Sequence, residues 1–203
     1  MRVARQIKRR ELIVPSIAIS SAHQLSPLSG VEFKQLPPVT QEDLQYLAQM
    51  RVATKIKTPL PAFKMANQVT SVALAQYAFD DPNWHPEVSG VSEERAQKIL
   101  NYWSDPRNTN KPAVFMTLSE DQALAAALSH KTGRSFRIPT EAEVEYSIRG
   151  RTDQAAGQIT VSKFYFGDSD EELAHRAWLW SNSGRQIHEF LWADSSYWKC
   201  LCA

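Results

Sequence analysis

The chain has 203 residues, 43% hydrophobic and 22% charged, a composition that fits one soluble globular domain with a moderate core and a tail. Its net charge of +1 leaves no overall field to gather nucleic acid or an acidic substrate, and no stretch approaches the roughly 18 uninterrupted apolar residues of a membrane span. Two cysteines, Cys200 and Cys202, stand too close together to staple a fold, so the expected setting is cytoplasmic, with neither nucleic acid nor membrane among the partners.

Residues 1–38 read as a basic leader or linker, poorly packed and partly disordered, with the folded domain over 39–203. Arg2, Arg5, Lys8, Arg9 and Arg10 precede an apolar run, Leu12 to Ile19, that Pro15 and Ser16 interrupt. Glu11 at the join and the shortness of the run argue against a secretory signal. SSAHQLSPLSG and the Pro37-Pro38 break keep the linker character. Thr40 then caps a short helix with Leu44, Leu47 and Ala48 on one face, and Pro59 and Pro61 end that region. Thr70 or Ser71 caps a second helix that buries Leu74, Tyr77 and Ala78. Residues 80–90, DDPNWHPEVSG, form a loop of turn formers.

Ser92, followed by Glu93 and Glu94, starts a third helix with Ala96, Ile99, Leu100 and Trp103 at helical spacing. After the polar DPRNTNKP, Ser119 and Gln122 have capping-box spacing at the head of a fourth helix, on which Ala123, Leu124, Ala127 and Leu128 recur. Lys131, Thr132 and Gly133 supply a cationic last turn and a residue able to take positive φ. Residues 134–138 lean to β. Pro139 breaks the chain, Thr140 with Glu143 repeats the capping box at the head of a fifth helix, and Gly150 closes it. Residues 151–160, RTDQAAGQIT, form a polar loop.

The ordered segments PAVFMTLSEDQA and RIPTEAEVEYSIRG, matched at Arg137, Pro139 to Glu143, Glu145, Tyr146, Arg149 and Gly150, carry a resemblance. They resemble the formylglycine-generating enzyme family, also called the sulfatase-modifying-factor family, whose signature runs roughly P-V-V-x-V-S-W-E-D-A, a helix, then R-L-P-T-E-A-E-W-E-Y-A-x-R-G. The family's two tryptophans are Leu118 and Val144 here. FKMANQVTSVALAQYAF, residues 63–79, is similar to the family's early strand and its V-T-N-x-Q-Y-x-x-F, with Ser71 in place of the asparagine. FYFGDSDEELAHRAWLWSNSGRQ, residues 164–186, is similar to a third family pattern, with Phe166, Gly167, Asp168, Leu173, Ala177, Trp178, Asn182, Ser183 and Gly184 in its places. After Arg185 the pattern decays, and the family's G-N-V-W-E-W and closing G-G-S-W segments have no clear counterpart. The resemblance implies an α+β, C-type-lectin-like fold of short helices on small, irregular antiparallel sheets, in a divergent or C-terminally incomplete member.

Active members of that family oxidise a substrate cysteine with molecular oxygen, using two cysteines that hold copper(I), an ion suited to soft thiolates. Here Ser196-Tyr197-Trp198-Lys199-Cys200 looks like the approach to that pair, but Cys202 follows after one residue rather than four. In an extended terminus two such thiolates point to opposite faces. Cys200 and Cys202 are thus the candidate catalytic residues and copper ligands only where the chain bends around the metal. Asp168 and Asn182 fall near where the family binds calcium, which takes six or more oxygen ligands.

The other polar residues carry plainer readings. His23, His85, His130, His175 and His188 lack the spacing of a zinc site. Glu141, Glu143 and Glu145 fit a helix first turn better than an acid/base pair, with Arg137 and Arg149 as ion-pair partners. No phosphate-cradling or nucleophile-elbow motif occurs. In the aromatic tail, Trp178 and Trp192 read as core. Trp180, Trp192, Tyr197 and Trp198, spaced by Asn, Ser and Arg, have the composition of an adaptable binding surface. C-type-lectin-like relatives of the family include the variable ligand-binding proteins of diversity-generating retroelements. The expectation is a non-catalytic sulfatase-modifying-factor-like domain that binds a protein or peptide ligand and needs no cofactor. The alternatives are a copper-dependent formylglycine-generating oxidase acting on a protein cysteine, and a fragment that folds poorly.

Overall fold

Hydroxyl side chains set where the helices begin. A computed structural model of the chain describes residues 18–19, 31–66, 68–150, 159–164 and 166–189. Among them are α1 (Gln41–Gln49), α2 (Val72–Ala78), α3 (Glu93–Ser104), α4 (Leu118–Thr132), α5 (Glu141–Arg149) and α6 (Asp170–Arg176). Thr40, Ser71, Ser92, Thr117, Thr140 and Ser169 precede them in turn, and each side chain accepts the N–H three residues on. Such a bond satisfies one of the donors a first turn leaves over and is worth about 1 kcal/mol. At Thr40–Asp43, Thr117–Glu120 and Thr140–Glu143 the acidic side chain also takes the cap's own N–H, completing a capping box. Gly133, at φ 68°, closes α4 in the left-handed conformation that a Cβ disfavours.

One start falls on one of its two expected caps, and another differs from expectation. Ser71, not Thr70, caps α2, and α4 is capped by Thr117 rather than Ser119. Both Thr117–Glu120 and Ser119–Gln122 have the box spacing. Glu120 decides between them, because its carboxylate accepts from the Thr117 N–H at 2.6 Å and from the Thr117 hydroxyl at 2.7 Å, while its other oxygen takes the Glu87 N–H at 2.6 Å. The box therefore also ties the 80–90 loop to the helix. Leu118 is left at the first helical position, 65% exposed, and the buried face of α4 is Asp121, Leu124, Ala125 and Leu128.

Four strands form one antiparallel sheet in the order β2-β3-β1-β4: β1 (Ala18–Ile19), β2 (Phe33–Leu36), β3 (Phe63–Ala66) and β4 (Phe136–Arg137). The segment expected to be a poorly packed leader thus contributes two strands. β2 pairs with β3 along its whole length, from Phe33↔Ala66 to Leu36↔Phe63, and Leu36 is buried, so Pro37-Pro38 follows a strand that belongs to the domain.

The alternation of side chains gives the sheet two apolar faces. On one, Leu36, Phe63 and Met65 pack with Leu47 of α1 and Tyr146 of α5, and the Phe63 and Tyr146 rings meet edge to face at 6.2 Å. On the other, Phe33 and Phe136 meet at 5.9 Å and join the layer built by α2, α3 and α4, where Ala75, Trp103, Leu124 and Leu128 are buried. The architecture is a mixed α+β one, with helices against both faces of a small antiparallel sheet. Among the described residues no helix is long and apolar enough to cross a membrane.

Candidate functional site

Of the signature residues at α5, Glu143, Tyr146 and Arg149 are buried. Arg137, on β4, reaches Glu143 with both terminal nitrogens, one of them at 2.7 Å from Oε2, and the same oxygen accepts the Thr140 N–H at 2.8 Å. Arg149 donates to Glu145 Oε1 at 2.7 Å, to the Ser162 carbonyl at 2.6 Å and to the Ala53 carbonyl at 3.1 Å, while Glu145 Oε2 takes the Lys55 N–H at 2.6 Å. Tyr146, within the span of the second pair, is fully buried, and Glu141 meets Lys55 at 3.5 Å on the surface. The expected ion pairs of Arg137 and Arg149 form. Burial pushes the Glu143 carboxyl up, but the Arg137 and Thr140 hydrogen bonds outweigh it and the net lies below the ordinary carboxylate range. Glu145 behaves alike: burial raises it, and bonds from Thr54, Lys55 and Arg149 outweigh that and leave it lowered.

The third matched stretch holds the remaining described site residues, each in its own turn. Phe164 and Gly167 exchange N–H···O bonds at 3.1 Å, with Gly167 at φ 123°, and Asp168 Oδ1 accepts the Lys163 N–H at 2.6 Å. Asn182 Oδ1 accepts the Leu179 N–H at 2.6 Å, and its amide donates to the Ala174 and Ala177 carbonyls at 2.8 and 3.0 Å. Asp168 and Asn182 each close a turn of their own, and two side chains fall short of the six to eight oxygens that calcium takes. Among the described residues no three His, Cys, Asp or Glu side chains gather as a metal site. Trp178, expected in the core, is half-buried and stacks on His188 at 3.9 Å, its indole nitrogen buried without a partner. Trp180 is 71% exposed, with the Arg185 guanidinium 5.2 Å from its ring centre. Cys200, Cys202, Trp192, Tyr197 and Trp198 lie outside the described residues.

Two features escaped the sequence reading. Asp121, on the buried face of α4, is 7% exposed and its Oδ1 has no hydrogen-bond partner. Burial first, and the neighbouring Glu120 carboxylate second, push it up to about 7. The helical pattern held the signal, since Asp121 stands three and seven residues before Leu124 and Leu128. The second feature is a polar cleft beside α2 and α3, lined by none of the predicted site residues. Its side chains come from three separate segments, and no local motif marks them. Comparison with family models, with curated proteins and with solved structures gives no match.

Proposed function

We propose that the chain is a sulfatase-modifying-factor-like domain of C-type-lectin-like fold that keeps the family's scaffold and uses it to bind a protein or peptide ligand. The observation that carries the reading is how the signature residues are spent. Arg137, Glu143, Glu145 and Arg149 are consumed by pairing β4, the 53–55 segment and the 161–162 segment to α5, which leaves none of them to present chemistry. Short helices against both faces of a small antiparallel sheet agree with the same scaffold. A ligand-binding role is supported by Trp180, a large exposed aromatic beside an arginine on a turn fixed by Asn182, since such residues dominate recognition surfaces.

The test has two arms. Phage-displayed random peptides should enrich on the purified chain and lose that enrichment on a folded Trp180→Ala variant. A C-x-P-x-R peptide incubated with the chain, copper(I) and oxygen should keep its cysteine, as read by mass spectrometry. Conversion of that cysteine to formylglycine, abolished by Cys200→Ser, would establish the oxidase instead.

A further inference from the structure

A cleft of about 520 Å³ opens between α2, α3, the 80–90 loop and the turn Pro106–Asn108, a volume within the range of small-ligand sites. Gln97, Asn101 and Ser104 line it from α3 at positions i, i+4 and i+7, so one helical stripe faces it. Gln76 of α2 and the loop residues Asn83 and His85 complete the polar wall, over a floor of buried Val72 and Trp103.

The hydrogen bonds already made fix what the wall still offers. Gln97 Nε2 donates to Asn101 Oδ1 at 2.7 Å, which leaves the Gln97 carbonyl as an acceptor and the Asn101 amide as a donor at the two ends of that bonded pair. His85 Nδ1 lies 2.9 Å from the Pro86 carbonyl, which can only accept, so in the neutral ring Nε2 is an acceptor. The Asp105 carboxylate, the one acidic group in the wall, is held by three contacts from Arg107, at 2.7 to 3.1 Å. Closely spaced donors and acceptors therefore alternate with no uncompensated charge among the described walls.

We propose that this cleft binds an uncharged polyhydroxylated ligand, a saccharide. Hydroxyl groups both donate and accept, and neighbouring sugar hydroxyls are spaced to bridge an amide donor and acceptor set in this way. A charged ligand finds no free counter-charge here. The large ring of the floor is closed to a stacking nucleobase, because Trp103 is buried with its N–H on the Val114 carbonyl at 3.0 Å, and the only other aromatic ring in the described wall is the small His85 imidazole. A peptide finds two helices and a loop, with no strand edge to extend. The assignment stands apart from the family reading, because none of the signature residues lines the cleft.

Saturation-transfer NMR on the full chain, with glucose, galactose, mannose, N-acetylglucosamine and maltose as probes, tests it. At least one sugar should receive transfer. Asn101→Leu should weaken that binding by about tenfold or more, as the loss of a paired donor predicts. Asn83→Ala, on a different segment, should weaken it as well, whereas Lys98→Ala, on α3 but outside the cleft lining, should not. Circular dichroism melts establish that each variant is folded. Absence of transfer to every sugar, undiminished binding in folded Asn101→Leu and Asn83→Ala proteins, or stronger transfer to a blocked trialanine peptide would each overturn the assignment.

Discussion

Helices α4 and α5 begin with the same local device and end up in opposite electrostatic states. Each has a threonine cap three residues before a glutamate that returns the bond, Thr117–Glu120 and Thr140–Glu143. At α5 the glutamate is covered by the Arg137 guanidinium and followed by Val144. At α4 it receives only backbone N–H groups and a hydroxyl, and it is followed by Asp121, a second carboxyl on the buried face, whose Oδ1 has no hydrogen-bond partner. A capping box fixes where a helix starts. What lies across from it decides whether the charges there hold the fold together or strain it.

The largest test of this contrast is to remove the paired glutamate. Glu143→Ala deletes the return bond of the box and takes the buried carboxylate away from the half-exposed Arg137, which should cost about 2–3 kcal/mol in urea denaturation. Glu120→Ala deletes comparable bonds but also relieves the repulsion on Asp121, and it should cost clearly less. Equal losses from the two substitutions would remove the distinction between the helix heads.

Asp121→Asn sharpens the comparison through pH. A carboxyl raised in the folded chain to about 7 holds more protons there than when unfolded, so stability falls as pH rises toward and through that value. Glu143 and Glu145 are lowered, so the stability they contribute is present at higher pH and lost as pH falls through the acidic range. The opposed slopes place maximum stability between about pH 4 and about pH 5. Asn mimics the protonated side chain, so Asp121→Asn should match the parent only below about pH 4, where the unfolded aspartate is protonated too, and exceed it by a margin that widens between about pH 5 and about pH 8, to about 1–3 kcal/mol. A parent whose stability is flat between those two values would show that Asp121 is solvated or paired.

Much of the fold was legible because its signals are local. Thr40, Ser92, Thr140 and Gly133 stand at helix ends where side-chain hydrogen bonds and positive φ act within four residues. The two early strands were not legible, because a strand two or four residues long shows no period of its own. Ala18–Ile19 and Phe33–Leu36 become strands by pairing with β3, far away in sequence. Of the candidate site residues, Asp168 and Asn182 are indeed turn residues of the stretch that named them, but the polar cleft depends on Gln76, Asn83 and Asn101 meeting across three segments. No spacing rule reaches that far.

The smallest effect tests the one helix start that two overlapping boxes made ambiguous. Thr117 and Ser119 each precede a residue able to return the bond, and their hydroxyls lie 3.0 Å apart. Glu120 satisfies the Thr117 N–H and the Glu87 N–H together, so starting the helix at Ser119 would release both donors at once. Thr117→Ala should therefore cost about 1 kcal/mol, and Ser119→Ala should stay within about 0.5 kcal/mol of the parent. Hydrogen exchange at the Glu87 amide adds a readout that a generic loss of helix propensity would not move. It should quicken in Glu120→Ala and stay slow in Ser119→Ala, because the loop is held by the carboxylate of the box that forms and not by the one that merely fits the spacing.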